Sequence, residues 1–155
     1  MDYITYLRSM VGHEKVLMPV CGALIFDEQG RILLQLRSDT NSWGIPGGFM
    51  ELDESIEDTA RRETMEETGI KLGELNFFGI YSGSDFHKTF PNGDQAALVQ
   101  ILFTCRDYAG DIHFHDRETL DAQFFSFDEL PEEILEKHRM FLKDYQENPS
   151  GPVIG

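Results

Sequence analysis

Cysteine is scarce in this chain. Only Cys21 and Cys105 occur, both in apolar, strand-like surroundings and without a CxxC pair, so two buried free thiols are expected instead of a disulfide or a thiolate metal site. Long apolar runs are missing as well. The amino terminus, MDYITYLRSMVGHEK, has neither a basic stretch nor a long apolar one, so nothing reads as a membrane span or a secretory leader, and a soluble, cytoplasmic protein is expected. Cations are few: 13 Lys and Arg face 28 Asp and Glu, a net charge of −15. With no basic run, nothing here attracts a nucleic-acid polymer or an anionic membrane. A small phosphorylated ligand is still admissible if a cation neutralises it.

What is present argues for a folded body. A hydrophobic fraction of 41% with 12 Phe in 155 residues suits one domain with a core of its own. The expected domain spans 1–146, short N-terminal helix included, and NPSGPVIG closes the chain within a loose tail, 147–155. Residues 2–11 place Ile4, Leu7 and Val11 at helical spacing, a helix that caps the domain or serves a dimer contact. VCGALIFD (20–27) and RILLQLR (31–37), joined by DEQG, read as a hairpin, with Pro19 marking the first strand's start. SDTNSWGIPGG (38–48) is a loop. Strands follow at 75–83, 96–106 and 122–127, and PNGD (91–94) signals a hairpin turn. Leu130, Ile134, Leu135, His138, Phe141 and Leu142 predict a helix over 127–145. Strands and helices interleave without strict βαβ repetition, so the expected class is α/β with a mixed central sheet between helices.

The stretch GFMELDESIEDTARRETMEETGI (48–70) sets eight carboxylates against Arg61 and Arg62 alone. Asp53 or Ser55 caps a helix running to Thr68, with Gly69 as its stop. Glu57 and Asp58 suit the positive end of the helix dipole, whereas Glu66 and Glu67 stand at the end that disfavours them, with Glu63 on the same face. At about 100° per residue, Glu63 and Glu67 align with Ile56 and Ala60, so a stripe that should be apolar turns acidic. Arg62 can pair with Glu66 or with a carboxylate before the helix but cannot neutralise three glutamates. A hard divalent cation, Mg²⁺ or Mn²⁺, could, because such ions prefer oxygen ligands and are shared with substrate phosphates.

Gly48, five residues, Glu54, seven residues, then RETMEETGI (62–70) resembles the signature box of the Nudix (MutT-like) hydrolases in register throughout. Thr64 departs, since an aliphatic residue is usual there, which touches helix packing only. LIFDEQGRILLQLR, NSWGIPGGFMELDES, FPNGD and AQFFSFDELPE extend the likeness to a bacterial-type, single-domain member. The resemblance implies a Nudix-type α/β/α sandwich. It also implies Mg²⁺- or Mn²⁺-dependent hydrolysis, with water as nucleophile, of the diphosphate linkage in a nucleoside diphosphate joined to another moiety X. The alternative it leaves is a catalytically silent nucleotide-binding sensor or regulator. Dimerisation is common in the family, so a homodimer stays open.

Carried over by position, Glu63, Glu66 and Glu67 ligate metal together with the carbonyl of Gly47, while Arg62 orients them by pairing with Glu54. Many members recruit one more carboxylate from a distant loop, and Glu118 is the candidate here, with Asp116 its neighbour in reserve. Arg37, Trp43 and Phe86 are candidates for binding substrate, the first at a phosphate and the aromatics by stacking on a base. His113 and His115 alternate on a strand-like stretch and are expected at the surface. Asp94 is expected as a turn residue.

Overall fold

The computed structural model describes residues 2–114 and 117–155. In chain order the elements are α1 (Tyr3–Val11), β1 (Val16–Ile25), β2 (Ile32–Arg37), β3 (Ser42–Gly44), β4 (Gly47–Phe49), α2 (Ile56–Thr68) and β5 (Lys71–Leu72). There follow β6 (Asn76–Tyr81), β7 (His87–Thr89), β8 (Gln95–Cys105), β9 (Tyr108–Ala109), β10 (Thr119–Phe125), α3 (Glu136–Glu147) and β11 (Val153–Ile154).

The centre is a mixed sheet in the order β11-β6-β8-β1-β4, with β7 also pairing β8. β1 and β8 run parallel from Val16 opposite Ala96 to Ile25 opposite Cys105. Alternation along these strands builds two cores. Cys21, Ala23 and Ile25 of β1 and Ile101, Phe103 and Cys105 of β8 join Ala60 of α2 in one. Leu24, Phe26 and Leu102 join Phe141 and Leu142 of α3 in the other. Side chains of successive strand residues point to opposite faces, so a sheet covered on both sides needs apolar residues at nearly every position. The result is the α/β/α layering with a mixed sheet that the sequence led us to expect. Both cysteines are buried and free. Among the described residues no helix is long and apolar enough to cross a membrane.

Four local expectations need correction. Residues 20–27 and 31–37 form no ladder of their own: they meet at the Phe26–Ile32 bridge and then diverge, β1 into the central sheet and β2 into a second antiparallel sheet, β10-β2-β3. The local turn signal was real, but each strand finds a better partner far away in sequence. Pro19 lies within β1, not at its start. Its carbonyl accepts from Met50 N–H just past β4, so its missing amide donor faces a side where the ladder has already ended. The last helix begins at Glu136, not 127, because Pro131 and an extended segment bridging Ile134 to Trp43 intervene. Residues 148–155 are no loose tail: Val153 and Ile154 add a parallel edge strand to β6, and Gly155 exchanges backbone hydrogen bonds with Ile80 and Ser82.

Phe141 is 1% exposed and touches the rings of Tyr81, Phe86 and His138. Phe141→Ala is expected to cost about 3–5 kcal/mol, and a denaturant-unfolding difference under about 1 kcal/mol would show that α3 does not anchor this core.

Candidate active site

The acidic helix is placed by its ends. Ser55, not Asp53, caps α2, its Oγ accepting from Asp58 N–H at 3.0 Å, while Asp53 takes φ 65° in the turn before it. At the other end Gly69 adopts φ 79° and donates to Met65 O, a left-handed stop that any Cβ would strain.

β4 runs directly across the carboxyl half of α2. Gly47 N–H donates to Glu67 Oε1 at 2.9 Å, and a Cβ on Gly48 would come within 2.6 Å of the Glu63 carboxylate oxygens. Gly48 is needed for this close approach of strand to helix, and Gly47 for the approach to β1, where a Cβ would come within 2.6 Å of Cys21 O.

Arg62 ties the helix to the preceding loop. Its Nε and Nη2 donate to Glu54 Oε2 and Oε1 at 2.8 and 3.0 Å, Nη1 donates to Glu63 Oε1 at 2.9 Å, and Nη2 also donates to Phe49 O at 2.9 Å. Glu66 stands 3.4 Å from Nη1 and is half exposed. Glu54 further accepts from Thr59 Oγ1 at 2.6 Å and Glu51 N–H at 3.1 Å. These donors, Arg62 foremost, hold its carboxyl down to about 2. Saturated in this way, Glu54 positions Arg62 and has no oxygen to spare for a ligand or a proton.

Glu67 is its opposite. Its side chain is 3% exposed, and the nearest cation, Arg37 Nη1, lies 3.8 Å away. Burial, reinforced by the Glu63 charge, pushes its carboxyl up to about 8, against which Arg37 and the Gly47 amide pull only partly. Burial likewise raises Glu63, which Arg62 restrains. One face of α2 therefore carries carboxylates with too little positive charge, all donors are oxygen, and the set suits a hard divalent ion. Among the described residues no three His, Cys, Asp or Glu side chains are already gathered around one point; Arg62 and the Gly47 amide occupy part of the carboxylate oxygens.

Glu63, Glu66, Glu67, Arg37, Arg62 and Glu118 all line one open cleft of about 690 Å³. Glu118, remote in sequence, is brought there by its backbone, whose carbonyl accepts from Ser38 N–H beside Arg37. Arg37 also holds Asp39 at 3.2 Å. The structure does not bring Trp43 or Phe86 to the cleft. Trp43 packs edge-on against Phe125 and Phe86 stacks on Phe141, both in the core under α3, so neither ring is offered to a base. His113 lies behind the α2 terminus, its N–H donating to Thr68 O. His115 and Asp116 lie outside the described residues. Asp94 is a turn residue as expected; it also accepts from His13 and forms an ion pair with Arg8 of the N-terminal segment.

Sequence reasoning missed three contributors. Helix α1 walls one side of the cleft, with Tyr3 N–H on Glu51 Oε2 at 2.8 Å and Arg8 Nη2 on Gln95 O at 2.7 Å. Phe49 and Phe90 face each other at 5.9 Å, with Lys88 Nζ 4.7 Å from the Phe90 ring centre. His138, which counted as part of the apolar stripe of α3, accepts from Ile45 N–H at 2.9 Å. Only the hairpin signal hinted that residues on either side of PNGD come together.

Comparison with known proteins identifies the family. The NUDIX domain family model matches residues 16–145. A MutT-like protein of Streptomyces ambofaciens is 29% identical over 131 residues, covering 84% of this chain and 77% of that protein. An ADP-ribose pyrophosphatase of Methanocaldococcus jannaschii is 29% identical over 130 residues, 82% of this chain and 72% of that one. Among solved structures, a MutT NUDIX hydrolase of Burkholderia pseudomallei superposes with a TM-score of 0.69 at 27% identity, covering 82% of this chain and 96% of that one.

The Glu67 carboxyl generates a pH prediction. In the unfolded chain it loses its proton near the ordinary 4.5, and in the metal-free fold it keeps it to about 8. Its contribution to stability is complete below the lower value and is lost as pH rises to the upper. Metal-free wild type should therefore lose melting temperature relative to Glu67→Gln between about pH 5 and about pH 8. A constant difference across that range would contradict the buried, cation-poor setting described for this carboxyl.

Proposed function

Because the chain belongs to the NUDIX family and is a MutT-like Nudix hydrolase, we propose that it cleaves the diphosphate linkage of a nucleoside diphosphate joined to a moiety X, using Mg²⁺ or Mn²⁺. The single observation that carries this reading is the juxtaposition of Gly47–Gly48 with Glu63 and Glu67, hydrogen-bonded at 2.9 Å through the Gly47 amide. Glu63, Glu66 and Glu67, with the Gly47 carbonyl and Glu118, would hold the metal. A bound divalent ion supplies charge neutralisation for the diphosphate and lowers the pKa of bound water.

The chain's own residues do the rest. Glu54 clamps the Arg62 guanidinium on two edges, and Arg62 in turn fixes Glu63 and the Phe49 carbonyl, so helix and strand hold one spacing. Glu67, buried and short of positive charge, is the carboxylate whose state changes most when a cation arrives. Arg37, between Glu67 and Asp39, meets the diphosphate where the carboxylates alone would repel it. The ADP-ribose pyrophosphatase relative supports a small nucleotide-derived substrate.

Glu67→Gln keeps the shape of the side chain and should lower kcat by at least about 10³-fold, the equivalent of several kcal/mol of lost charge stabilisation, with the fold intact by circular dichroism. Near-normal turnover would remove Glu67 from the chemistry. Glu54→Gln should cost only about 10–100-fold, as expected of a residue that acts through another. EDTA should silence hydrolysis of a nucleoside diphosphate panel and added Mg²⁺ should restore it, whereas activity surviving thorough chelation would defeat the metal-dependent reading.

A further inference from the structure

Beside the strand Gly47–Phe49 lies a second cavity, of about 110 Å³, which shares Arg37, Gly47, Gly48, Phe49 and Phe90 with the main cleft. Its polar lining is unlike that of its neighbour. Arg37, Lys88, Gln100 and His138 supply it, the remainder being apolar side chains and the Pro46–Gly48 backbone. Among the described residues no Asp or Glu side chain lines it, in a chain whose net charge is −15.

The groups there are donors. His138 Nδ1 accepts from Ile45 N–H, and burial beside Arg37 and Lys88 keeps the ring uncharged, its pKa held down to about 3, so the ring proton sits on Nε2. Among the described residues Gln100 Nε2 reaches Val20 O and Ile101 O alone, each at 3.4 Å. Arg37 is engaged by Asp39 and Glu67. Lys88 is held less closely: its Nζ lies over the face of Phe90, the Asp39 charge acts on it, and among the described residues it forms no ion pair within 4 Å. Its environment penalises its charge, through burial and then through Arg37, with Asp39 offsetting only part, and an incoming anion relieves what is left. The volume suits one compact tetrahedral anion and is smaller than the roughly 150 Å³ that admits a benzene ring, which argues against a nucleobase.

We propose that this cavity is a subsite for a phosphate group that the substrate carries beyond the diphosphate held over α2, with Lys88 as its principal recognition residue. Resting on the hydrolase reading above, it narrows moiety X: substrates with an additional phosphate, such as nucleoside triphosphates, are preferred over nucleoside diphosphate sugars whose sugar is uncharged. Lys88 is a specificity residue and leaves the chemistry at α2 untouched.

The test needs two measurements. In EDTA, isothermal titration of inorganic phosphate into metal-free protein should detect binding to wild type and to Glu67→Gln. Binding to Lys88→Ala should be at least about tenfold weaker, the loss expected for one charge-assisted contact, and Lys88→Arg should recover most of it. With Mg²⁺ present, Lys88→Ala should raise KM about tenfold for a nucleoside triphosphate and leave a nucleoside diphosphate sugar unaffected. Phosphate affinity unchanged in Lys88→Ala, no phosphate binding by wild type, or equal KM changes for both compounds would overturn the proposal. If wild type hydrolyses neither compound but its phosphate binding depends on Lys88, the subsite stands and the hydrolase reading falls.

Discussion

The guanidinium of Arg62 is the joint on which the site turns. One planar group spans a loop carboxylate, two helix carboxylates and a strand carbonyl, and it fixes the distance between β4 and α2. The five N–H donors of an arginine, arranged in a rigid fork, allow this, whereas a lysine ammonium could satisfy some of these acceptors but not hold their relative orientation. Gly48 completes the joint from the strand side by letting the backbone lie against the Glu63 carboxylate, while the Gly47 amide donates to Glu67. Around this fixed spacing the carboxylates fall into distinct environments: Glu54 saturated with donors, Glu66 half exposed, Glu67 buried and short of positive charge.

That division explains how a strongly acidic protein can present a site for an acidic ligand. Residues that are alike in sequence differ in burial and in hydrogen bonds, and those differences separate structural carboxylates from reactive ones. The lining changes sign from one cavity to the next, from the glutamates of α2, past Arg37, which lines both, to Lys88 in the second.

Much of this was legible in the sequence, for physical reasons that differ from place to place. The acidic helix showed itself because three glutamates at the wrong end of a helix dipole call for a compensating charge, and because its caps and spacing are local properties. The layered fold showed itself through apolar strands, whose alternation serves two cores. Pairing did not. The turn at DEQG suggested that β1 and β2 belong together, but β1 lies between β8 and β4, and no local pattern encodes a partner 80 residues away. Trp43 and Phe86 misled because an aromatic ring serves a core as well as a base, and sequence does not reveal which way it faces. Lys88 and His138 were invisible because their meaning arises only where a hairpin and the last helix converge beside β4. The segment 148–155 looked like a tail by composition, yet it finds an open edge of the sheet at β6.

The parallel pairing of β1 with β8 has a consequence for how the molecule comes into being. The two longest strands of the sheet cannot join until the chain between Ile25 and Gln95 has been looped out, and that loop contains α2, the glycine strand and Arg37. Closing it costs entropy before its contacts repay the cost. No short fragment of this chain can hold the site in working order, and folding is expected to be slow for a domain of this size. The carboxylates on α2 meet their strand only when the whole sheet has closed.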